Sequence, residues 1–291
     1  MAQDKYTAVW VSHSSMGDFL KCPRAYYLHN VYKDPKTGRK INIVNPALAL
    51  GIAVHEVVEG LADFKAEDRF KKPLDETFEK AWKKVSGKKG GFVSAQEEAQ
   101  AKARGETMIH RVEKNPGPLL QKTVKIKEGS NGMPPNFFLS EEDNIILCGK
   151  IDWLIYEPKD DSVYILDFKT GKNEEKEESL QLPIYQLLLK NLQKRKVTGA
   201  SYWYLDRDDA PVEVDLPDVD ESFQKVMAVA ARVKEARDRY AIDGPEVFVC
   251  PKGPAGCHAC RPFEKILRGE AEYIGVGEMR QDLYMIKGEE K

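Results

Sequence analysis

The segment 149–172 constrains the fold more than any other part of the chain. It holds two apolar, strand-like runs that each end near an aspartate, with a turn-forming pair of aspartates between the runs. If the runs pair as a hairpin, Asp152, Asp167 and Lys169 meet at one point. Side chains alternate along a strand, so Asp167 and Lys169 share one face and Phe168 points to the other.

Two carboxylates and an ammonium group at one point suit metal-dependent hydrolysis of a phosphodiester. This reaction needs a positioned water, neutralisation of the charge that builds on the phosphate oxygens, and stabilisation of the leaving oxyanion. Mg²⁺ prefers oxygen ligands, so Asp152 and Asp167 fit as ligands, and the carbonyl of Phe168 is a further candidate. Lys169 can orient the attacking water or lower its pKa. A bare Asp-x-Lys is usually a solvated ion pair, but the apolar lead-in and the upstream Gly-x-x-Asp favour the site.

The rest of the chain divides into a helical first part and a mixed later part. Ser12 and Ser14 are N-cap candidates for a helix that runs to about Val31, and Pro46 begins a second helix that carries His55. Further helices are predicted at about 73–85, 94–113, 180–194 and 219–240, and strands at 120–127, 136–139, 144–156, 162–168, 200–206 and 212–216.

Composition narrows the class of protein. The 291 residues carry a formal net charge of −2, so a DNA surface would be a local basic patch. No apolar run approaches the ~20 residues that span a bilayer, and the N-terminus lacks a secretory pattern, so we expect a cytoplasmic protein without membrane contact. Candidates for a DNA channel are the basic residues Arg24, Arg39, Lys40, Lys88, Lys89, Lys172 and Arg207 and, for base stacking, Tyr26, Tyr27, Trp203 and Tyr204.

Three of the five cysteines, Cys250, Cys257 and Cys260, lie within eleven residues among prolines and glycines. This spacing indicates a metal-ligand loop rather than a helix, and a reducing compartment disfavours disulfides. Three thiolates need a fourth partner, and His258 would complete a tetrahedral Cys₃His zinc site. Cys148 falls within a predicted strand and is expected to be a small buried side chain.

The Gly-x-Ile-Asp that ends at Asp152 and the Ile-Leu-Asp-Phe-Lys-Thr-Gly around Lys169 resemble the PD-(D/E)xK nuclease superfamily, specifically its RecB-like branch. That branch includes helicase–nuclease exonuclease domains and CRISPR-associated RecB-like nucleases. Three more segments are similar to family motifs, namely Ser12-x-Ser14 with Phe19-Leu20-x-Cys22-Pro23-x-x-Tyr26, Gly51-x-x-x-His55, and Gln181-x-x-x-Tyr185. The matching segments are scattered over residues 12–260.

The resemblance implies roles for these residues. His55 would be a third protein ligand, which suits Mn²⁺ as well as Mg²⁺ because imidazole is softer than carboxylate. Glu59, one helical turn further on, would either support His55 or be solvated. Gln181 and Tyr185 would contact the DNA backbone or hold Lys169 in place; otherwise they are the polar edge of an amphipathic helix.

For the cysteines, the resemblance implies a [4Fe–4S] cluster in which Cys22 joins the late triplet, with zinc as the alternative. The family's late triplet usually has its close pair first, whereas the longer gap comes first here. Such a centre would close a long loop and hold the opening helix against the C-terminal segment.

The fold implied by the resemblance is α/β, with a restriction-endonuclease-like core in which helices flank a central mixed β-sheet. A single RecB-like nuclease domain would cover residues 1–274. Its parts would be a helical N-terminal layer at about 12–115, a nuclease core at about 120–240 and a cysteine-rich closing segment at about 245–268. A flexible tail at 275–291 would follow.

We therefore predict a deoxyribonuclease that depends on Mg²⁺ or Mn²⁺ and acts as an exonuclease on DNA ends, preferentially single-stranded. The chain lacks a Gly-x-x-x-x-Gly-Lys-[Ser/Thr] phosphate loop, so a helicase or CRISPR adaptation partner would be a separate chain. Recombination, repair and CRISPR spacer acquisition stay open as pathways. The rival prediction is a non-catalytic DNA-binding or scaffold protein, although the presence of Asp152, Asp167 and Lys169 argues against it.

Overall fold

The computed structural model describes residues 5–129 and 132–286. In chain order its strands and α-helices are β1 (Val9–Val11), α1 (His13–Lys21), α2 (Pro23–Tyr26), β2 (Ile41–Ile43), α3 (Pro46–Gly60), α4 (Asp75–Val85), α5 (Ala95–Lys114), β3 (Asn136–Ser140), β4 (Ile145–Cys148), β5 (Trp153–Glu157), β6 (Ser162–Lys169), α6 (Gln181–Leu192), β7 (Val197–Tyr204), β8 (Val212–Val214), α7 (Val219–Asp243), α8 (Arg261–Leu267), β9 (Ala271–Val276) and β10 (Asp282–Ile286).

The central sheet is mixed, as predicted. Its strand order is β5-β6-β7-β8, with β5 antiparallel to β6, β6 parallel to β7, and β7 antiparallel to β8. The crossover from β6 to β7 passes through α6, which is the connection that a parallel pair needs. Two smaller sheets accompany it, in the orders β1-β4-β3 and β2-β10-β9.

Helices cover both faces of the central sheet, which confirms the predicted fold class. On one face, α3, α4 and α5 share an apolar core with Trp153, Phe168 and Trp203 from the strands. On the other face, α1, α6 and α7 pack around Ile165 and Tyr202. The strands are therefore buried on both sides, which accounts for their near-continuous apolar sequence.

The predicted helix starts are confirmed. The side chain of Ser12 accepts a hydrogen bond from the amide of Ser15 and begins α1. Asn45 caps α3 by accepting from the amide of Leu48, and Pro46 fixes the first turn of that helix. After α2, the opening helical segment continues as a π-helix, Tyr27–Val31.

The predicted strand at 144–156 is two strands, β4 and β5, separated by the residues that contain the first site aspartate. At the break, the amide of Gly149 donates to Pro135 O. A Cβ atom on Gly149 would lie 3.0 Å from Leu188 Cδ1 of α6, so the absence of a side chain lets α6 approach closely.

The prediction of a strand at 120–127 is wrong, because this segment pairs with the sheet through a single bridge among the described residues, between Thr123 and Ile155. The buried guanidinium of Arg69 donates to the carbonyl oxygens of Leu119 and Gln121. Those carbonyls are thereby satisfied by a side chain and do not join a strand ladder.

The flexible tail predicted from residue 275 is also wrong for the part that the structure describes. Strand β10 pairs in parallel with β2 and antiparallel with β9. Asp282, at the start of β10, is fully buried and accepts hydrogen bonds from Thr37 Oγ1 at 2.5 Å and Arg39 Nε at 2.8 Å. Residues 287–291 lie outside the described residues.

The aromatic side chains that the sequence proposed for base stacking are in the core instead. Tyr26, Tyr27, Trp203 and Tyr204 are all buried, because they fill the space between the sheet and its covering helices. In the two described stretches, no helix has the length and apolar character needed to cross a membrane.

Candidate active site

Strand register brings the two aspartates together. In the antiparallel pair β5–β6, Trp153 lies opposite Leu166, so one further step along the same register sets Asp152 opposite Asp167. Asp152 has left the ladder at this point, and its Oδ2 accepts a hydrogen bond from the amide of Phe168 at 3.0 Å. The first aspartate is therefore held by the backbone of the strand that carries the second.

Asp167 is almost completely buried and is held by α6. Its Oδ1 accepts hydrogen bonds from Gln181 Nε2 at 2.8 Å and from Tyr185 OH at 2.9 Å. Gln181 Nε2 also donates to Tyr185 OH at 3.0 Å. Burial, followed by the charge of Asp167, raises the pKa of Tyr185 well above its usual value, so Tyr185 stays a donor. Gln181 and Tyr185 are thus hydrogen-bond donors to the Asp167 carboxylate. They are not the polar edge of an amphipathic helix, because α6 is buried on nearly all sides.

Lys169 lies at the centre of this network. Its Nζ lies 2.8 Å from Asp167 Oδ2 and 3.0 Å from Glu175 Oε2, and it donates to Gln181 Oε1. The ammonium also lies 4.8 Å from the centre of the Tyr202 ring. Burial lowers the pKa of Lys169, but the charges of Asp167 and Glu175 outweigh burial and raise it, so Lys169 is a cation at neutral pH.

His55 approaches Asp152 from α3. Its Nδ1 lies 2.8 Å from Glu59 Oε1 and 3.6 Å from Asp152 Oδ2. Glu59 also forms an ion pair with Lys150. Burial lowers the pKa of His55, but the hydrogen bond to Glu59 and the charge of Asp152 outweigh it and raise the pKa. A carboxylate on one ring nitrogen fixes the ring and directs the other nitrogen outward, which is the usual support of a metal-binding histidine.

The ligand set divides into two parts at the end of the sheet. Potential ligand atoms of His55, Glu59 and Asp152 all lie within 4.8 Å of one another in the described residues, and Asp167 is not in that group. Asp167 instead faces α6 and Lys169. Asp152 lies between the two parts, since it contacts both the Phe168 amide and His55.

The residues present fit a divalent cation. Asp167 Oδ2 is buried, and Lys169 Nζ lies 2.8 Å from it. Burial and then the charge of Asp167 raise the pKa of Asp152 to about 8. Two neighbouring carboxylates that repel each other are stabilised by a bound dication. Oxygen donors with one imidazole suit Mg²⁺ and Mn²⁺.

Clefts flank the site on both sides. One, of about 320 Å³, is lined by residues that include Glu59, Lys150 and Asp152. The other, of about 1320 Å³, lies along the connection from β6 to α6 and includes Glu175 and Arg207. The first cleft therefore opens at Asp152, and the second opens at Glu175, the partner of Lys169.

Two residues of the site have no signal in the sequence. Glu175 is one of several glutamates in the polar connection between β6 and α6, and only its contact with Lys169 distinguishes it. His13, the first residue of α1, lies 3.5 Å from Ser179 Oγ through Nε2. Burial lowers the pKa of His13, while the charges of Glu175 and Asp167 oppose that effect. Both residues reach the site through tertiary packing, which local patterns do not report.

A second cluster joins the start and the end of the described chain. The sulfur atoms of Cys22, Cys250, Cys257 and Cys260 all lie within 4.8 Å of one another. Cys22 separates α1 from α2, and Cys260 directly precedes α8. In the described part of the chain, His258 is exposed and is not in this group. Cys22 therefore takes the fourth ligand position, which His258 would hold in a Cys₃His site.

The sulfur spacing fits a thiolate-bound metal centre. Cys257 Sγ and Cys260 Sγ are 3.8 Å apart, which matches the edge of about 3.8 Å expected for a tetrahedron with Zn–S bonds of about 2.3 Å. A [4Fe–4S] cubane binds each thiolate to a different iron and therefore needs the sulfurs to spread. Burial raises the pKa of Cys22 to about 12, so the metal-free thiol is neutral and metal binding must release its proton.

Paired buried carboxylates, a lysine and a supported histidine at the end of a mixed sheet are features of metal-dependent phosphodiester hydrolases. The sequence matches the family model of the PD-(D/E)XK nuclease superfamily over residues 10–262, and the chain belongs to that superfamily. Its nucleases use divalent metals and act on DNA. No curated protein matches the sequence.

Proposed function

We propose that this protein is a Mg²⁺- or Mn²⁺-dependent exonuclease that hydrolyses DNA at ends, preferentially single-stranded ones. The observation that carries the proposal is the buried Asp167 carboxylate, which pairs with the largely buried Lys169 at 2.8 Å and lies beside a second carboxylate, Asp152, whose pKa is raised. Ionisable groups with perturbed pKa values that converge in this way are typical of functional sites.

In this proposal Asp152, Asp167 and His55 hold the metal, and the carbonyl of Phe168 is a further candidate ligand. When bound, the metal would polarise the scissile phosphate and lower the pKa of a coordinated water. Lys169 orients the attacking water and offsets negative charge on the phosphate oxygens. The water oxygen bonds to phosphorus as the bond to the leaving oxygen breaks, and the proton lost by the water passes to solvent or to the leaving oxygen.

Gln181 and Tyr185 are positioning residues. They bind Asp167 Oδ1, which leaves Oδ2 for a cation, and Gln181 also accepts from Lys169. Glu59 positions His55 in the same way, because its carboxylate accepts a hydrogen bond from His55 Nδ1 at 2.8 Å. Every group proposed to contact metal or water is thereby oriented by a second side chain or by the backbone.

The preference for ends and any separate helicase or CRISPR adaptation partner are supported by the resemblance to RecB-like nucleases alone, and the proposed cytoplasmic location is supported by the sequence pattern alone. Recombination, repair and spacer acquisition are the pathways in which such an activity would serve. The alternative is a non-catalytic DNA-binding or scaffold protein. A preparation that binds DNA but does not cleave it would favour this alternative.

We also propose that the four cysteines hold a metal centre that joins the ends of one nuclease unit. The resemblance favours [4Fe–4S], and the 3.8 Å separation of Cys257 Sγ and Cys260 Sγ favours zinc. The salt bridge between Arg24 and Glu264, at 2.7 Å, connects the same two segments. This centre lies outside the hydrolytic network and supports it structurally.

The test of the activity uses linear single strands and duplexes labelled at one end, and circular single strands labelled internally. We expect release of short products from linear single strands with Mn²⁺ or Mg²⁺, and no cleavage of circles. EDTA should stop the reaction, and Mn²⁺ added in excess should restore it. Binding of DNA without cleavage under every metal condition would reject the enzymatic proposal in favour of the scaffold.

The test of the cysteine centre is metal analysis with absorption spectroscopy on protein purified without oxygen. A brown protein that absorbs near ~400 nm and contains iron identifies the cluster. A colourless protein with one zinc per chain identifies a Cys₄ zinc site. A preparation with neither metal, yet fully folded, would contradict the proposed centre.

A further inference from the structure

Lys169 is already surrounded by acceptors. An ammonium group has three N–H donors, and three acceptor side chains lie around Nζ, those of Asp167, Glu175 and Gln181. A water or phosphate oxygen can join them only if one acceptor leaves. The proposed nuclease function therefore requires a change in this shell when DNA binds.

Glu175 is the acceptor that can leave. Asp167 lies on the same strand as Lys169, and Gln181 belongs to the buried helix α6 and also binds Asp167. Glu175 lies on the connection between those elements, and its side chain is 23% exposed. Its backbone amide donates to the buried Tyr204 OH at 3.1 Å, whereas its carboxylate is held by Lys169 and by a hydrogen bond with the Ser179 hydroxyl.

The preceding residue makes a parallel contact. Glu174 Oε1 lies 2.8 Å from Arg207 Nη2, and the Arg207 guanidinium stacks 4.4 Å from the centre of the Tyr204 ring. Two consecutive carboxylates thus pair with two cations, Lys169 inside the site and Arg207 at its margin, and both glutamates and Arg207 line the larger of the two clefts. Carboxylate and phosphate oxygens offer these cations the same acceptor chemistry.

We propose that Glu174 and Glu175 occupy the positions of two successive phosphates of a DNA strand. In this proposal Lys169 and Arg207 are phosphate-binding residues, and DNA reaches them by displacing the two glutamates. This inference rests on the proposed nuclease function and adds an autoinhibitory contact to it. Short or weakly bound anions do not displace the pair, whereas a DNA strand replaces both contacts at once.

The test compares Glu175→Gln with Glu178→Gln. Glu178 is an exposed residue of the same connection, with no ion pair in the described structure, so both variants remove one negative charge from one segment. Kinetics on a labelled single strand with Mn²⁺ give kcat and KM, and fluorescence anisotropy with Ca²⁺ gives Kd without depending on cleavage. Thermal unfolding confirms that each variant is folded.

We expect Glu175→Gln to lower KM and Kd about fivefold with kcat unchanged, the scale of one partly exposed ion pair. Glu178→Gln should match the wild type, and Arg207→Gln should raise Kd about fivefold. A fall in kcat at constant KM would overturn the proposal, because Glu175 would then position Lys169. Equal effects of the two glutamate variants would also overturn it. If neither the wild type nor the variants cleave DNA, the proposed nuclease activity fails. The anisotropy comparison still decides whether DNA displaces Glu175.

Discussion

The two candidate metal centres of this protein are built in opposite ways. The carboxylate centre takes most of its residues from the ends of neighbouring elements, β5, β6 and α6, and keeps two carboxylates close together next to one lysine. The cysteine centre gathers the thiol groups of Cys22 and of the loop before α8, and so closes a loop of most of the chain. The first arrangement is suited to chemistry, because it is stabilised by what it binds. The second is suited to holding the structure together.

The sharpest way to separate the two centres is Lys169→Ala. Removing the ammonium that orients water should lower kcat about 10³-fold, within the range of general acid–base contributions, without changing the metal content of the cysteine centre. Lys190→Ala, at an exposed position of α6, is the control and should retain full activity. The measurement is single-turnover cleavage of end-labelled DNA with Mn²⁺. Equal rates in the two variants would contradict the role given to Lys169.

Cys22→Ala tests the other side of the comparison. Loss of one thiolate should release the bound metal and lower the free energy of unfolding by about 2–5 kcal/mol, the scale of a lost cross-link over a long loop. Cys148→Ala is the matched control, since Cys148 lies in β4 and outside the cluster in the described residues. Denaturant unfolding and metal analysis provide the readouts. A similar small loss for both variants would mean that the cysteines hold no structural metal.

Asp152→Asn should make the metal-free protein more stable while it abolishes cleavage. The pKa of Asp152 is raised by burial and then by Asp167 to about 8, so folding favours the protonated form. The stability of the wild type therefore falls as pH rises from about 4 to about 8, and the neutral amide avoids that loss. We expect a Tm about 5 °C above that of the wild type at pH 8 in EDTA, and no difference near pH 4. A constant difference across this range would argue against a titrating Asp152.

The smallest expected effect is that of Tyr185→Phe. The variant removes one hydrogen bond to a buried carboxylate, worth about 1.5–3 kcal/mol, and should lower kcat about tenfold by loosening Asp167. Tyr164→Phe is the control, because its hydroxyl bonds to Ala200 O and Ser201 Oγ on the central sheet, away from the carboxylates. Comparison of kcat for the two variants is the measurement. A larger loss for Tyr164→Phe would remove Tyr185 from the positioning role.

Local patterns predicted the parts of the fold that depend on local physics. Ser12 begins α1 because its side chain satisfies a free backbone amide, Pro46 begins α3 as predicted, and the helix bounds predicted from periodicity agree closely with the structure. The segment 120–127 has the composition of a strand, but the guanidinium of Arg69, about fifty residues earlier, binds the carbonyls of Leu119 and Gln121 at its start. The segment after residue 275 looked like a tail because its anchors, Thr37 and Arg39, are distant in sequence.

The sequence by itself determined that Asp152 and Asp167 lie at the matching ends of a strand pair and that Lys169 shares the face of Asp167, because hairpin register and alternation along a strand fix both. Only the tertiary structure decided how the surrounding groups are arranged. His55 beside Asp152, Glu175 beside Lys169, and Cys22 beside the late cysteines all depend on how separate elements and connections pack together. The physical reason is that hydrogen bonds and strand register act over a few residues, whereas packing of buried side chains selects partners from the whole molecule.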